Sequence, residues 1–175
     1  QVEMEGNDDN FKNMTLYIDG VPFASYNTPG SNTYMWNTAD FEDAQHMLLL
    51  EAYDLAENTA RTQVQVITDN TVPIGDILQP ANMSNVRGVL DISVYGHDAN
   101  LQSMKLFINQ SLMYDWRKEN GMHHYMWNTT ATEDGTYTAK LVIYDKAGNS
   151  FEETLTIIVD NTSPEVHILS PSESA

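Results

Sequence analysis

Cysteine is absent, which excludes a disulfide framework, a thiol nucleophile and any Cys-ligated zinc or iron centre. Basic residues are scarce: 8 Lys and Arg stand against 25 Asp and Glu, for a formal charge of −17. Eight scattered cations cannot concentrate a basic patch on phosphate, so nucleic acid is excluded as a partner and anionic membrane surfaces are disfavoured. No run approaches the roughly 20 apolar residues of a membrane span, and no membrane insertion is expected. The signatures of catalysis are missing as well. There is no nucleophile elbow, no His-Glu-x-x-His helix and no phosphate-binding glycine loop, and acidic pairs such as Asp8-Asp9 and Glu152-Glu153 read as solvated loop and strand positions. A non-enzyme is expected. What the chain does hold is 41% hydrophobic and 10% aromatic residues, enough to bury a core and too much for an acidic disordered chain.

The organising feature is an internal repeat. Tyr34-Met35-Trp36-Asn37-Thr38 recurs 91 residues later as Tyr125-Met126-Trp127-Asn128-Thr129. The same offset carries Tyr53-Asp54 onto Tyr144-Asp145, Asp69-Asn70-Thr71-Val72-Pro73 onto Asp160-Asn161-Thr162-Ser163-Pro164, and Ile77-Leu78-Gln79-Pro80 onto Ile168-Leu169-Ser170-Pro171. With a one-residue indel, Met14-Thr15-Leu16-Tyr17-Ile18 matches Met104-Lys105-Leu106-Phe107-Ile108. Several motifs in one order at one spacing define a tandem unit of about 90 residues.

Within a unit the apolar period is two. Leu90, Ile92 and Val94 alternate with polar residues, as do Met104, Leu106 and Ile108, then Leu141 and Ile143, then Leu155, Ile157 and Val159. Bounded by Gly, Asn, Asp and Pro, these are short antiparallel strands with one buried face. About seven of them in 90 residues predict an all-β chain of two tandem immunoglobulin-like β-sandwiches. The divisions expected are 1–73 for a first repeat lacking its opening strand, 74–164 for a second, and 165–175 for a linker and the first strand of a following repeat. Gln1 aligns with Asp91, inside a strand, so a piece of a longer array is expected. The first repeat would then have an uncovered sheet edge, open to strand exchange with the C-terminal strand of this or another chain. Glu133-Asp134-Gly135-Thr136-Tyr137 has the pattern of a tyrosine corner, whereas the first repeat has His46 where the second has Tyr137.

Leu106-Phe107-Ile108-Asn109, Tyr125-x-Trp127-Asn128-Thr129, Asp134-Gly135-x-Tyr137, Asp145-x-Ala147-Gly148-Asn149 and Val159-Asp160-Asn161-Thr162-x-Pro164 together resemble the bacterial and archaeal Ig-like repeats. Those occur in tandem on secreted and cell-surface proteins, including S-layer proteins, adhesins and extensions of subtilisin-like proteases. The resemblance implies an extracellular or cell-surface module, with neighbouring Ig-like repeats and a cell-surface protein or glycan as partners. Three roles stay open: a spacer, adhesive or structural element; an accessory region of a secreted protease or glycanase; and a glycan- or protein-binding domain.

Three sets of residues are candidate sites. Asp98 and Asp145 end strands that run parallel in such a sandwich, so with Asp69, Asn70, Asn100 and Asn149 they would supply the hard oxygens of a Ca2+ site. The other reading of the same residues is turn chemistry, in which Asp and Asn side chains cap backbone amides. Tyr114, Trp116 and His123 belong to the second repeat alone and form either a ligand-binding patch or ordinary packing at a sheet rim. Trp36 and Trp127 share strand faces with Tyr34 and Tyr125 and are expected in the core, and His123-His124 point to opposite faces, a poor metal chelate. Sequons at Asn13, Asn82, Asn109, Asn128 and Asn161 mark possible glycosylation, with Asn13, Asn109 and Asn128 expected on outward strand positions.

Overall fold

A computed structural model describes residues 1–170. Fourteen strands and one short 3-10 turn at Thr38–Asp40 make up their regular structure. The chain divides into two compact units, Gln1–Thr71 and Val72–Ala175.

The second unit has eight strands: β7 (Ile74–Gln79), β8 (Ser84–Val86), β9 (Val89–His97), β10 (Leu101–Ile108), β11 (Ser111–Trp116), β12 (Gly121–Asn128), β13 (Gly135–Asp145) and β14 (Ser150–Val159). They form a five-stranded sheet in the order β11-β10-β13-β14-β8 and a three-stranded sheet β12-β9-β7. All pairings are antiparallel except β8 with β14. The period-two pattern is realised directly: Ile92 and Val94 from one sheet, and Met104, Leu106, Leu141, Ile143, Ile157 and Val159 from the other, are almost wholly buried between them.

The first unit uses the same plan with six strands: β1 (Val2–Gly6), β2 (Phe11–Ile18), β3 (Val21–Tyr26), β4 (Gly30–Tyr34), β5 (Gln45–Asp54) and β6 (Thr59–Ile67). Its sheets are β3-β2-β5-β6 and β1-β4. The register repeats: Gly6 faces Gly30 as Gly96 faces Gly121, and β2-β3 carries a bulge at Leu16/Tyr17 where β10-β11 has one at Leu106/Phe107. Both of these hairpins turn on two residues with positive φ, Asp19-Gly20 (50° and 80°) and Asn109-Gln110 (45° and 71°), as the right-handed twist of the flanking strands requires.

The units differ in what covers them. The first has no counterpart of β7 or β8 among the described residues, and its core shrinks to Met4, Met14, Leu16, Ile18 and Leu48. Leu155 on β14 is 7% exposed, whereas Val64, its equivalent on β6, is 56% exposed. The strand expected over Val166–Pro171 is not formed over 166–170. A strand is held by its ladder, and no strand pairs with this stretch among the described residues, so Val166, Ile168 and Leu169 stand open to solvent. Pro171 and the rest of 171–175 lie outside the described residues.

Candidate functional site

At one end of the second unit β9 runs out at His97 and β13 at Asp145, and the two strand ends bring Asp98 and Asp145 together. A carboxylate oxygen of each lies within 4.8 Å of the other, and the residues are 6% and 0% exposed. Both carboxylates are engaged by backbone. Asp98 Oδ1 accepts the Asn100 amide at 2.6 Å, and Asp145 Oδ1 accepts the amides of Gly148 and Asn149 at 2.7 and 2.8 Å. Asp145 Oδ2 accepts Asn149 Nδ2 at 2.6 Å. The first unit repeats these bonds: Asp8 Oδ1 takes the Asn10 amide at 2.7 Å, and Asp54 takes the Asn58 amide at 2.8 Å and its Nδ2 at 2.7 Å. Turn capping is therefore built into both units. Burial separates them, because Asp8 is exposed and Asp54 only half-buried. Two buried carboxylates so close are an arrangement that a hard cation would satisfy, although two residues alone fall short of the six to eight oxygens of a calcium ion.

The Asp-Asn-Thr motif belongs to a second repeated device. Asp43 Oδ1 accepts the Asn70 amide at 2.6 Å and its Oδ2 accepts the Thr71 hydroxyl, while Asn70 Nδ2 donates to the Thr38 and Phe41 carbonyls at 3.0 and 3.2 Å. In the second unit Asp134 holds the Asn161 amide at 2.6 Å and the Thr162 hydroxyl at 2.5 Å, and Asn161 Nδ2 donates to the Thr129 and Thr132 carbonyls at 2.9 and 3.2 Å. The hydrogen bonds from Thr71 and Asn70 hold the Asp43 carboxyl below its ordinary value, and those from Asn161 and Thr162 do the same for Asp134. Through its backbone amide and Nδ2, Asn70 ties the strand exit to the loop before β5 as a clasp. Asp69 accepts the Thr71 amide at 3.3 Å. Nothing in the motif Asp-x-x-His or Asp-Gly-x-Tyr announced Asp43 and Asp134 as its partners; the repeat of both segments at offset 91 was the usable signal.

Each unit has an aromatic corner. Tyr137 Oη donates to the Glu133 carbonyl at 2.9 Å and its ring meets Trp127 edge-on with centroids 5.4 Å apart. In the first unit His46 takes over: its Nε2 lies 3.2 Å from the Glu42 carbonyl and 3.0 Å from Thr68 Oγ1, and its ring meets Trp36 edge-on at 5.6 Å. The corner survives the change from Tyr to His because the ring nitrogen reaches the same carbonyl. His46 Nδ1 adds a contact to Asp19 Oδ2 at 2.6 Å, while Asp19 Oδ1 accepts the Met47 amide at 2.8 Å. The Asp19 bond raises the imidazole's proton affinity, and in return His46 lowers that of Asp19. His46, Asp19 and Thr68 have the residue types of a catalytic triad, but His46 and Thr68 are 7% and 4% exposed and the Thr68 hydroxyl is spent on the Glu42 carbonyl at 2.7 Å. The group is packing with a charge in it.

Trp36 is half-buried and Trp127 7% exposed, each in its unit's core. The third indole does not form an open platform: Trp116 is 7% exposed and part of the core, stacked on His123 at 5.4 Å and tilted against Tyr114 at 4.8 Å. The β11 strand lies at a sheet edge, yet its final residue turns inward over Met104, its partner in the ladder. Of the cluster Tyr114, Trp116 and His123, Tyr114, 50% exposed, presents the broadest aromatic face, and His123 and His124 point to opposite faces, with His124 on Asp91 at 2.9 Å.

The sequons separate by whether the amide nitrogen is available. Asn161 Nδ2 is committed to two carbonyls, and Asn13 is half-buried rather than outward, with its Oδ1 enclosed and without a partner. Asn109 lies in the β10-β11 turn rather than on a strand, exposed, its Oδ1 accepting the Thr138 amide at 2.8 Å. Asn82 and Asn128 are exposed, and their Oδ1 atoms accept the amides of Thr156 and Thr130.

Residues 90–161 match the family model of the bacterial Ig-like domain. No curated protein matches the chain. Among solved structures, the fibronectin(III)-like modules of Clostridium thermocellum CbhA align with 95% of this chain and 89% of their own, at 14% identity and a TM-score of 0.57. The endo-beta-1,4-mannanase of Thermotoga petrophila aligns over 54% of this chain and 21% of its own, at 12% identity and a TM-score of 0.45. A bacterial ice-binding adhesin aligns over 91% and 57%, at 16% identity and a TM-score of 0.37. At these identities the solved structures speak to fold alone, and the mannanase and the adhesin are too distant for more. Together, the family match and the CbhA modules show that the chain is an all-β protein carrying an Ig-like domain over residues 90–161.

Proposed function

We propose that this chain is a non-enzymatic, extracellular Ig-like module that serves as a spacer, adhesive or cell-surface structural element. One observation carries the reading: the polar residues that recur between units, Asp43 and Asp134, Asn70 and Asn161, Asp54 and Asp145, are spent in both on backbone amides and carbonyls. What repeats is a frame rather than a reacting group. The likeness of residues 90–161 to the bacterial Ig-like domain supports the same reading, as does the likeness of the chain to the modules of CbhA. A glycan-binding role would have to use Tyr114 without its indole neighbour, because Trp116 is enclosed. Affinity electrophoresis against a panel of soluble polysaccharides tests this directly. Unchanged mobility is expected, and a retardation that Tyr114→Ala abolishes would replace the spacer by a binding domain. An accessory role beside a hydrolase is separated by reading the parent gene.

The buried Asp98 and Asp145 pair supports one addition, a divalent cation held at that end of the second unit. Bound there, calcium would neutralise two carboxylates and raise stability by mass action. The melting temperature is expected to rise with calcium and fall back with chelator, and Asp98→Asn with Asp145→Asn is expected to remove the rise. A melting temperature indifferent to calcium would leave the two as turn caps only.

A further inference from the structure

The β2-β3 and β10-β11 turns are pinned by the same pair of bonds in both units. In the first, Asp19 Oδ1 accepts the Met47 amide at 2.8 Å, and the Asp19 amide donates to the Met47 carbonyl at 2.9 Å. In the second, Asn109 makes the same two bonds with Thr138, at 2.8 and 2.9 Å. The pin needs only an oxygen from the side chain, and in the first unit a carboxylate supplies it. The carboxamide nitrogen of Asn109 is therefore an addition. It has no hydrogen-bond partner among the described residues, and it stands exposed in the sequon Asn109-Gln110-Ser111. A group joined to Nδ2 would leave Oδ1 and its bond in place.

Beside this side chain the outer face of the five-stranded sheet is hollow. A groove of about 440 Å³ runs along Asn109, Phe107, Thr138, Lys140, Val142 and Tyr144. From Thr138 to Tyr144 it follows β13 for roughly 20 Å at about 3.3 Å per residue. Its floor is apolar although it faces away from the core: Val142 lies between Leu141 and Ile143, which fill the core, and is itself 3% exposed. Phe107, two residues before Asn109, is opposite Lys140 in the ladder. The charges along the groove already have partners, Lys140 on Glu152 at 2.7 Å and Lys105 over the Tyr144 ring at 5.6 Å. Such a groove suits a neutral ligand with apolar faces and hydroxyl edges, which is the chemistry of a pyranose ring against Phe107. In the first unit Val142 is replaced by Glu51, ion-paired with Arg61 at 2.7 Å, and the sequon by Asp19-Gly20-Val21. The sequon and the apolar floor occur together in one unit and are replaced together in the other.

We infer that Asn109 is an N-glycosylation site, and that the first sugars of a neutral saccharide joined to its Nδ2 lie along this groove, over Phe107 and toward Val142 and Tyr144. In the transfer, Nδ2 attacks the anomeric carbon of a saccharide carried on a lipid diphosphate. The N–C bond forms as the C–O bond to the diphosphate breaks; the diphosphate leaves with the bonding pair, and the displaced amide proton passes to the transferase. Such transfer acts on exported chains, so the assignment rests on the extracellular reading proposed above.

Thr15→Ala, Ser84→Ala, Thr130→Ala and Ser163→Ala together leave Asn109 in the one remaining sequon. With that chain secreted from yeast, peptide mass spectrometry is expected to find Asn109 glycosylated in most copies. An amidase that releases the glycan converts Asn109 to aspartate, the residue that pins the first unit's turn at position 19, so the pin survives the release. The melting temperature of the second unit is then expected to fall by about 2–8 °C. Phe107→Ala is expected to cut that fall by at least half, each chain being compared with its own released form so that the cost of the substitution itself cancels. A folded, secreted chain with Asn109 unmodified overturns the site and leaves the extracellular reading untouched, since the host supplies that setting. A glycan whose release leaves the melting temperature unchanged, or a fall that Phe107→Ala does not reduce, overturns its seat in the groove.

Discussion

Replacing Gly75 by valine tests how tightly the core of the second unit is filled beside β7. The Cβ alone meets Ile143 Cδ1 in overlap and the Phe151 ring at 3.0 and 3.1 Å, and valine adds two further methyl groups to a core already filled. Overpacking of this kind costs about 1–3 kcal/mol, and in a domain of this size each kcal/mol lowers the melting temperature by about 4–8 °C. Ile143→Ala alone removes a fully buried side chain, for a loss of about 2–5 kcal/mol including the cavity. Combined, the two changes let the valine occupy the space the isoleucine left. The double variant is therefore expected to lose at least about 1 kcal/mol less than the two single losses added together. Urea unfolding followed through Trp116 and Trp127, both in the core of this unit, reads each of the four states. Additivity to within about 0.5 kcal/mol would refute the claim that these positions exchange volume.

Two further outcomes follow from the repeated frame. Asn161→Ala removes both donors to the Thr129 and Thr132 carbonyls, next to a Thr129 that is 0% exposed, and is expected to lower the stability of the second unit by about 1–3 kcal/mol; equilibrium unfolding checks it, and a loss below about 0.5 kcal/mol would contradict the clasp. His46 makes the first unit sensitive to pH. Its proton affinity is raised in the fold by Asp19, so its contribution is complete below the ordinary histidine value of 6.5 and is lost as the pH rises through the higher folded value. Asp19 is lowered, so its contribution is present above 3.8 and is lost as the pH falls through the lower folded value. Hydrogen exchange across β5 is expected to show the first unit firmest between those limits, with His46→Tyr removing the loss at alkaline pH; an unaltered alkaline limb would contradict the assignment.

The strands were legible because both units bury one face of each sheet, so residues such as Ile92, Val94, Met104 and Leu106 alternate with polar neighbours along the paired strands. The repeat was legible for the same reason, since Trp127 and Tyr137 hold one corner and Trp36 and His46 the other. Trp116 left two readings open because a lone aromatic cluster in one repeat has no copy to compare with, and its inward turn, which agrees with packing at the sheet rim, depends on the ladder partner Met104 rather than on neighbours in sequence. Asn70 had both a metal and a turn reading because carboxamide oxygens serve metals and turns alike; its nitrogen donates to the Thr38 and Phe41 carbonyls, contacts that follow from the fold and not from the local sequence. The His46 corner was hidden because an imidazole and a phenol share no pattern, although both reach a carbonyl four residues back. The need for glycine at 75 was hidden because Ile143 and Phe151, which fill the space a Cβ would take, lie far along the sequence.

The central proposal is that this chain is a structural frame of two compact units, and mechanical extension of single molecules held at their two ends tests it most directly. The account predicts two separate unfolding events, releasing about 240 Å and about 310 Å of contour length at roughly 3.6 Å per residue for strands β1 to β6 and β7 to β14, less each folded end-to-end distance. A single event that releases the whole length at once, or extension with no resistance at all, would contradict it.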